Sequence, residues 1–416
     1  MNLRLGRSLA ILASILQIFL LLPLAAQAEE SANMTATVPI LLDHNRMLAD
    51  AEFQRSDGSW RRARLWVDTG NPDFLMSESL ARDLGIDLAV ADTAAEQASA
   101  IQIAPPAGVR IGGRPVDFAG VNSVVLLAPH WLFSTTGCDA NLPSTVLSRY
   151  GVVFDYPARQ FTLAPPGALA HRGTRAPAAV NEKTGIVQID AVVDGDSVSF
   201  ALDNGASFSF ASEEILERWS SRHPDWPKSA GALGCANIWG WWPGEPRWPV
   251  VRIPRMAWGG VTLEGVGVAG LPKMFAGGAG LGEWYSQKTA RPVDGILGPN
   301  AFKAFRVEID YHDSAVYFEM GAPFDTIDMD IVGLTLRPEE DGSYSVIGVA
   351  TKDGQPAVRG VEPGDKLIQV GDLKATGTTM GTVIDALRGK PGEVRRLALE
   401  RGGKRFEVEA KVMRFL

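Results

Sequence analysis

The chain repeats itself, and that repetition restricts its fold more than any other feature. An apolar run closes on Leu65-Trp66-Val67-Asp68-Thr69-Gly70 and returns as Phe200-Ala201-Leu202-Asp203-Asn204-Gly205. Downstream of each copy a second pair of segments matches. Asp139-Ala140-Asn141-Leu142 leads to Val152-Val153-Phe154-Asp155-Tyr156, and Asp294-Gly295-Ile296-Leu297 leads to Val307-Glu308-Ile309-Asp310-Tyr311. Asp139 to Asp155 and Asp294 to Asp310 are both 16 residues, so these stretches align without a gap. A short apolar run ending in Asp and Gly reads as a strand entering a tight loop. Two such units predict two similar lobes, each bringing one carboxylate to a shared interface.

A chain of 416 residues is long enough for two to four domains. Its 44 Gly and 26 Pro suit a turn-rich β protein better than a helical one. A hydrophobic content of 46% with mean hydropathy near zero fits globular domains, not a multispanning membrane protein. A net charge of −8 argues against nucleic acid as a partner. Arg4 and Arg7, the apolar run Leu9 to Leu22 and the small-x-small site Ala26-Gln27-Ala28 read as an export signal over residues 1–28, cleaved after Ala28. The mature chain is then expected outside the cytoplasm, periplasmic or otherwise extracytoplasmic, with no membrane span. There the two cysteines, Cys138 and Cys235, could form one disulfide. The five His show no HExxH spacing, and GxSxG and GxxxxGK[ST] are absent, so neither a metal nor another cofactor is expected.

Turn signals organise the rest. Ser56-Asp57-Gly58-Ser59 and Asp194-Gly195-Asp196 each separate two extended segments, as in hairpins that lead into Asp68 and Asp203. Ser77 to Leu84 and Ser212 to Trp219 read as matching helices, the first with Ser77 as its N-cap and Gly85 as its stop. Ala164 to Val180, rich in Pro, Ala and Gly, reads as the linker between lobes. Asp68 to Asp139 is 71 residues and Asp203 to Asp294 is 91, so the second lobe carries about 20 extra residues, assigned to Trp219 to Trp258. That stretch holds seven of the 11 Trp, read either as a loop packing its rings onto the lobe or as an aromatic surface gripping peptide or sugar.

Each Asp alone reads as a turn residue capping its own loop. As a pair they read as a dyad. Gly70 and Gly205 let the backbone turn and approach closely, and Thr69 and Asn204 can hydrogen-bond across to the partner loop. Two carboxylates about 3 Å apart cannot both ionise and share one proton. On these motifs the chain resembles the pepsin-like and retropepsin-like aspartic peptidases over roughly residues 35–320. The motifs that carry the resemblance are Val67-Asp68-Thr69-Gly70, Leu202-Asp203-Asn204-Gly205 and the apolar-apolar-Gly segment Ile296-Leu297-Gly298. The resemblance implies a water-activating dyad of Asp68 and Asp203, with Thr69, Gly70, Asn204 and Gly205 as loop support and a peptide or protein as substrate. Asn204 replaces the family's Thr or Ser, and Asn141-Leu142-Pro143 stands where Ile-Leu-Gly is usual, which leaves open a degenerate scaffold that binds peptides without cleaving them.

The segment Pro356-Ala357…Gly360-Val361-Glu362-Pro363-Gly364-Asp365-Lys366-Leu367-Ile368 resembles the signature of PDZ domains from exported bacterial proteases. That resemblance implies a carboxylate-binding loop at Val332-Gly333-Leu334-Thr335, with Gly333, Leu334 and Thr335 receiving a peptide terminus. The expected fold is mainly β: two pepsin/retropepsin-like β-barrel lobes, residues 29–165 and 175–322, followed by a PDZ domain over 330–416.

Overall fold

The hairpins form where the turn chemistry places them. Arg46–Gln54 and Trp60–Asp68 pair antiparallel, with Gln54 opposite Trp60. Val187–Val193 pairs with Asp196–Leu202 through Asp194 and Gly195, both at positive φ. In each hairpin the second strand grows more buried toward its end, so Val67 and Leu202 lie in the core and the following Asp emerges at its edge. The computed structural model describes residues 34–88, 100–127, 133, 137–230, 247–272, 281–352 and 354–416. The export signal, Cys235, Trp239, Trp241 and Trp242 lie outside the described residues.

The molecule is mainly β. One sheet of 14 strands holds the first lobe and continues into the closing strands of the second. The join is an antiparallel ladder between Gly151–Asp155 and Phe305–Asp310, with Val152 opposite Ile309 and Phe154 opposite Val307. A second sheet of eight strands builds the rest of the second lobe, and a third, of six strands, lies C-terminal with the helix Met380–Leu387.

The segment read as a linker is partly structural. Its residues Thr174–Pro177 form a strand against Ala315–Phe318, because that strand otherwise presents an unpaired edge. The extra residues of the second lobe also divide differently from the sequence reading. Ile111-Gly112-Gly113-Arg114 and Trp258-Gly259-Gly260-Val261 make the same hairpin turn, with both glycines at positive φ. Gly112 and Gly259 are 147 positions apart, Asp68 and Asp203 135, and Asp139 and Asp294 155. Twelve extra residues therefore precede the turn and eight follow it. The later group sits around the helix Leu281–Lys288. Of the described Trp in the earlier stretch, Trp219, Trp248 and Trp258 are buried, and Trp226 stacks on His223 at 4.4 Å.

The C-terminal sheet is seated on both lobes. Gly381, in the first turn of its helix, donates its amide to Asp43 Oδ1 at 3.0 Å, and Thr379 donates its hydroxyl to the same carboxylate. Arg46, fully buried, bonds Asp43 at 3.1 Å. Next in that turn, Asn45 donates to Ser207 O of the second lobe at 2.9 Å. Pro363-Gly364-Asp365 forms a tight turn, closed by the Glu362 amide on Asp365 Oδ2. Among the described residues no helix is long and apolar enough to cross a membrane.

Candidate active site

Each Asp is delivered by a strand that is flanked by a second, parallel strand arriving from far downstream. In the first lobe Trp60–Asp68 runs parallel to Ala140–Pro143, pairing Leu65 with Ala140 and Val67 with Leu142. In the second, Asp196–Leu202 runs parallel to Gly295–Leu297, pairing Phe200 with Gly295 and Leu202 with Leu297. The approach is locked identically on both sides. Asp139 accepts the Arg64 amide at 2.9 Å and donates its own to Arg64 O at 2.8 Å. Asp294 does the same with Ser199, at 2.9 and 2.7 Å. Ser77 and Ser212 donate amides to the carbonyls of Asp139 and Asp294, then cap the following helices with their hydroxyls. The gapless spacing in the sequence thus reflects one supersecondary unit built twice.

The two loops meet face to face. Thr69 donates its hydroxyl to Leu202 O at 2.9 Å and accepts the Asn204 amide at 2.9 Å. In return, Thr69 donates its amide to Asn204 Oδ1 at 2.8 Å. Among the described residues the Asn204 Nδ2 group is buried without a hydrogen bond of good geometry, its nearest polar neighbour being the Tyr156 hydroxyl. A hydroxyl in its place would both accept and donate; the amide oxygen does only the first, and the donor half of the crossed pair is lost.

Asp68 and Asp203 lie 3% and 5% exposed, at the meeting point. Gly70 donates its amide to Asp68 Oδ1 at 3.0 Å; Gly205 and Ala206 donate theirs to Asp203 Oδ1 at 2.8 and 3.1 Å. Neither Gly70 nor Gly205 is at positive φ, so conformational freedom is not what requires glycine here. A Cβ on Gly70 would lie 2.2 Å from Asp203 Cγ, and one on Gly205 would lie 2.3 Å from Asp68 Oδ1 and 3.1 Å from Asp203 Oδ1. Each glycine vacates the space that the opposite carboxylate fills. Both inner oxygens converge on the same spot, and their separation cannot exceed the sum of those last two distances.

Electrostatics follow from this geometry. Burial and the charge of Asp203 push the Asp68 carboxyl well above its usual range. Burial raises Asp203 too, opposed by hydrogen bonds from Tyr285, Ala206 and Gly205. The pair therefore titrates as a unit whose last proton leaves above the usual carboxylate range.

Tyr285 gave no sequence signal. Its hydroxyl donates to Asp203 Oδ2 at 2.5 Å, and the side chain is buried. The only trace of it in the sequence is the eight-residue excess between the Gly-Gly turn and Asp294. Gly333, Leu334 and Thr335, by contrast, take no part in the dyad. They are buried in the C-terminal region, where the amide of Leu334 is bonded to Val332 O and that of Val332 to Leu387 O. A Cβ on Gly333 would meet Phe415, Ala350 and Ala357. Cys138 is buried, and its pairing with Cys235 lies outside the described residues. Among the described residues no three His, Cys, Asp or Glu side chains are grouped so as to hold a metal ion.

No family model and no curated protein matches the chain. Among solved structures it is similar to the aspartic proteinase from Irpex lacteus, at 12% identity and a TM-score of 0.39, over 70% of this chain and 98% of that one.

Proposed function

We propose that this chain is an exported aspartic-type endopeptidase in which Asp68 and Asp203 activate a water against a peptide carbonyl. The observation that carries the reading is the crossed Thr69–Asn204 loop pair, which holds two buried carboxylates against one another with each glycine making room for the opposite Asp. A single proton shared by such a pair leaves one member able to take a proton and the other able to give one. The ionised carboxylate removes a proton from water as the oxygen bonds the carbonyl carbon, and the protonated one donates to the carbonyl oxygen. On collapse of the tetrahedral diol the C–N bond breaks, the nitrogen takes the proton removed from water, and a diol hydroxyl returns the other. The dyad ends as it began. Export rests on the charged, apolar and small-x-small order of residues 1–28.

For the C-terminal sheet we propose presentation of peptide ends. The support is the resemblance of residues 356–368 and the position of Leu334–Pro338 at the sheet edge, with Tyr344–Val349 as its one strand neighbour among the described residues. Capture of a carboxylate at Gly333–Thr335 requires that loop to release the bonded amides of Val332 and Leu334.

A second reading, a peptide-binding scaffold without turnover, is favoured by one observation: Tyr285 already occupies Asp203 Oδ2. Incubation with a mixed peptide library from pH 3 to pH 8 separates the two. Cleavage by the parent, reduced about 10³-fold in kcat in Asp68→Asn with folding retained, is the outcome expected of the enzyme. Peptide binding without cleavage at any pH establishes the scaffold.

A further inference from the structure

The two carboxylates of the dyad are not equivalently surrounded. Asp203 receives the amides of Gly205 and Ala206 on Oδ1 and the Tyr285 hydroxyl on Oδ2. Asp68 receives the Gly70 amide on Oδ1, and the Asn141 side chain and the Asn71 amide also favour its charge. An ionised carboxylate accepts about four hydrogen bonds, so Asp203 has three filled, both its oxygens engaged, and room for about one water. A protonated carboxyl must turn one oxygen into a donor, and on Asp203 both oxygens already face donors.

Tyr285 is built to stay there. Burial and the charges of Asp203 and Asp68 hold its phenol well above the usual range, so it keeps the proton it donates to Asp203. Its carbonyl is bonded twice by Thr289, at 2.9 Å from the amide and 2.8 Å from the hydroxyl. The end of the helix is tied to the Asn181–Thr184 turn through Thr184 on Lys288 O at 2.5 Å and Asn181 on Thr289 O at 3.1 Å. Trp284 packs edge-on against the Tyr285 ring at 5.0 Å. The titratable groups that act on Asp203 among the described residues are Asp68 from the first loop, Tyr285 from this helix and the buried Tyr156 from the turn after Gly151–Asp155. None of them is a cation that would hold the Asp203 charge in place of the phenol.

We propose that Tyr285 is a positioning residue that reserves the ionised state for Asp203, making Asp203 the base toward water and Asp68 the acid toward the carbonyl oxygen. This rests on the hydrolytic reading for its consequence in catalysis, but not for the carboxylate assignment itself. It also accounts for the second lobe's eight extra residues. They bring a hydroxyl donor onto Asp203 Oδ2, where the first lobe offers Asp68 the side-chain amide of Asn141.

The test uses the full-length protein and Tyr285→Phe, which deletes one oxygen and keeps the ring. In the parent, the acid limb of the kcat/KM profile reports ionisation of Asp203. Loss of a hydrogen bond to a charged acceptor moves that limb upward by about one pH unit and lowers kcat with KM little changed. An unmoved limb, or a uniform rise in kcat/KM at every pH as expected of an obstructing phenol, overturns the proposal. A second measurement is independent of turnover. In Asp68→Asn the remaining carboxyl titrates alone, and ¹³C NMR of labelled aspartate follows it. Adding Tyr285→Phe raises that titration by about one unit if the assignment holds; no rise overturns it. If the parent cleaves nothing and the titration still rises, the hydrolytic reading fails while the role of Tyr285 stands.

Discussion

The two lobes use one plan with different materials, and the differences fall where the loops are supported. Behind the second Asp, Gly298 donates its amide to Ser209 Oγ at 3.0 Å, and Ser209 in turn bonds Asn300 Oδ1 at 2.8 Å. In the first lobe the corresponding positions are Pro143 and Phe74. Proline has no amide hydrogen and phenylalanine no acceptor, so donor and acceptor disappear together and nothing is left unpaired. The strand pairing differs in the same compensated way. Phe210 and Ile296 pair through the backbone in the second lobe. At the equivalent place the first lobe has Asn141, fully buried, whose Oδ1 accepts the Leu75 amide at 2.7 Å and whose Nδ2 donates to Asp73 O at 3.0 Å. A side chain does what the ladder does across the dyad. Pro143, which in sequence looked like a defect in the first loop, is therefore one half of a matched exchange.

The comparison can be broken most severely at the glycines. Gly205→Ala and Gly70→Ala each drive a Cβ into the opposite carboxylate, and each is expected to destabilise by about 3 kcal/mol or more in denaturant melts and to abolish any cleavage. A large effect from one only would show that the loops do not face each other symmetrically. Asn141→Ile installs the second lobe's residue in the first. It strands the Leu75 amide and the Asp73 carbonyl and should cost about 2–4 kcal/mol, whereas Ser209→Ala, which strands the Gly298 amide, should cost about 1–2 kcal/mol.

Stability against pH sharpens the electrostatic asymmetry. The folded state holds a proton on Asp68 after the unfolded chain has lost it, so the dyad lowers stability as pH rises from about 4 through the native titration. Asp68→Asn removes that loss. Its Tm should equal the parent's near pH 3 and exceed it by about 2 °C or more at pH 7; a constant offset across pH would contradict the raised carboxyl. The smallest expected effect is a gain of about 1 kcal/mol from Asn204→Thr, whose hydroxyl can accept the Thr69 amide and donate to Val67 O as Thr69 does to Leu202 O. Calorimetry of the single variant against the parent reads it.

Much of this was legible in the residues. The duplicated apolar-Asp-x-Gly runs, the equal 16-residue spacings and the Ser77 N-cap belong to units whose partners are set by local chemistry, so the hairpins and helices could be read directly, while the pairing of Asp68 with Asp203 was read from the duplication. The strand Thr174–Pro177 was hidden by its Pro and Ala content, because it exists only through the edge it covers. Tyr285 was hidden for a similar reason. One aromatic on a short helix has no periodicity to announce it, and its target lies 82 positions away in the chain.

The sequence by itself determined that two acidic loops would be made, since an apolar strand ending in Asp and Gly specifies its own geometry within a few residues. Only the tertiary structure decided that the loops differ. Which carboxylate receives the extra donor, which loop is braced by Ser209 and which by Asn141, and where the C-terminal helix finds Asp43 all depend on groups far apart in the chain, brought within hydrogen-bond reach when the lobes close.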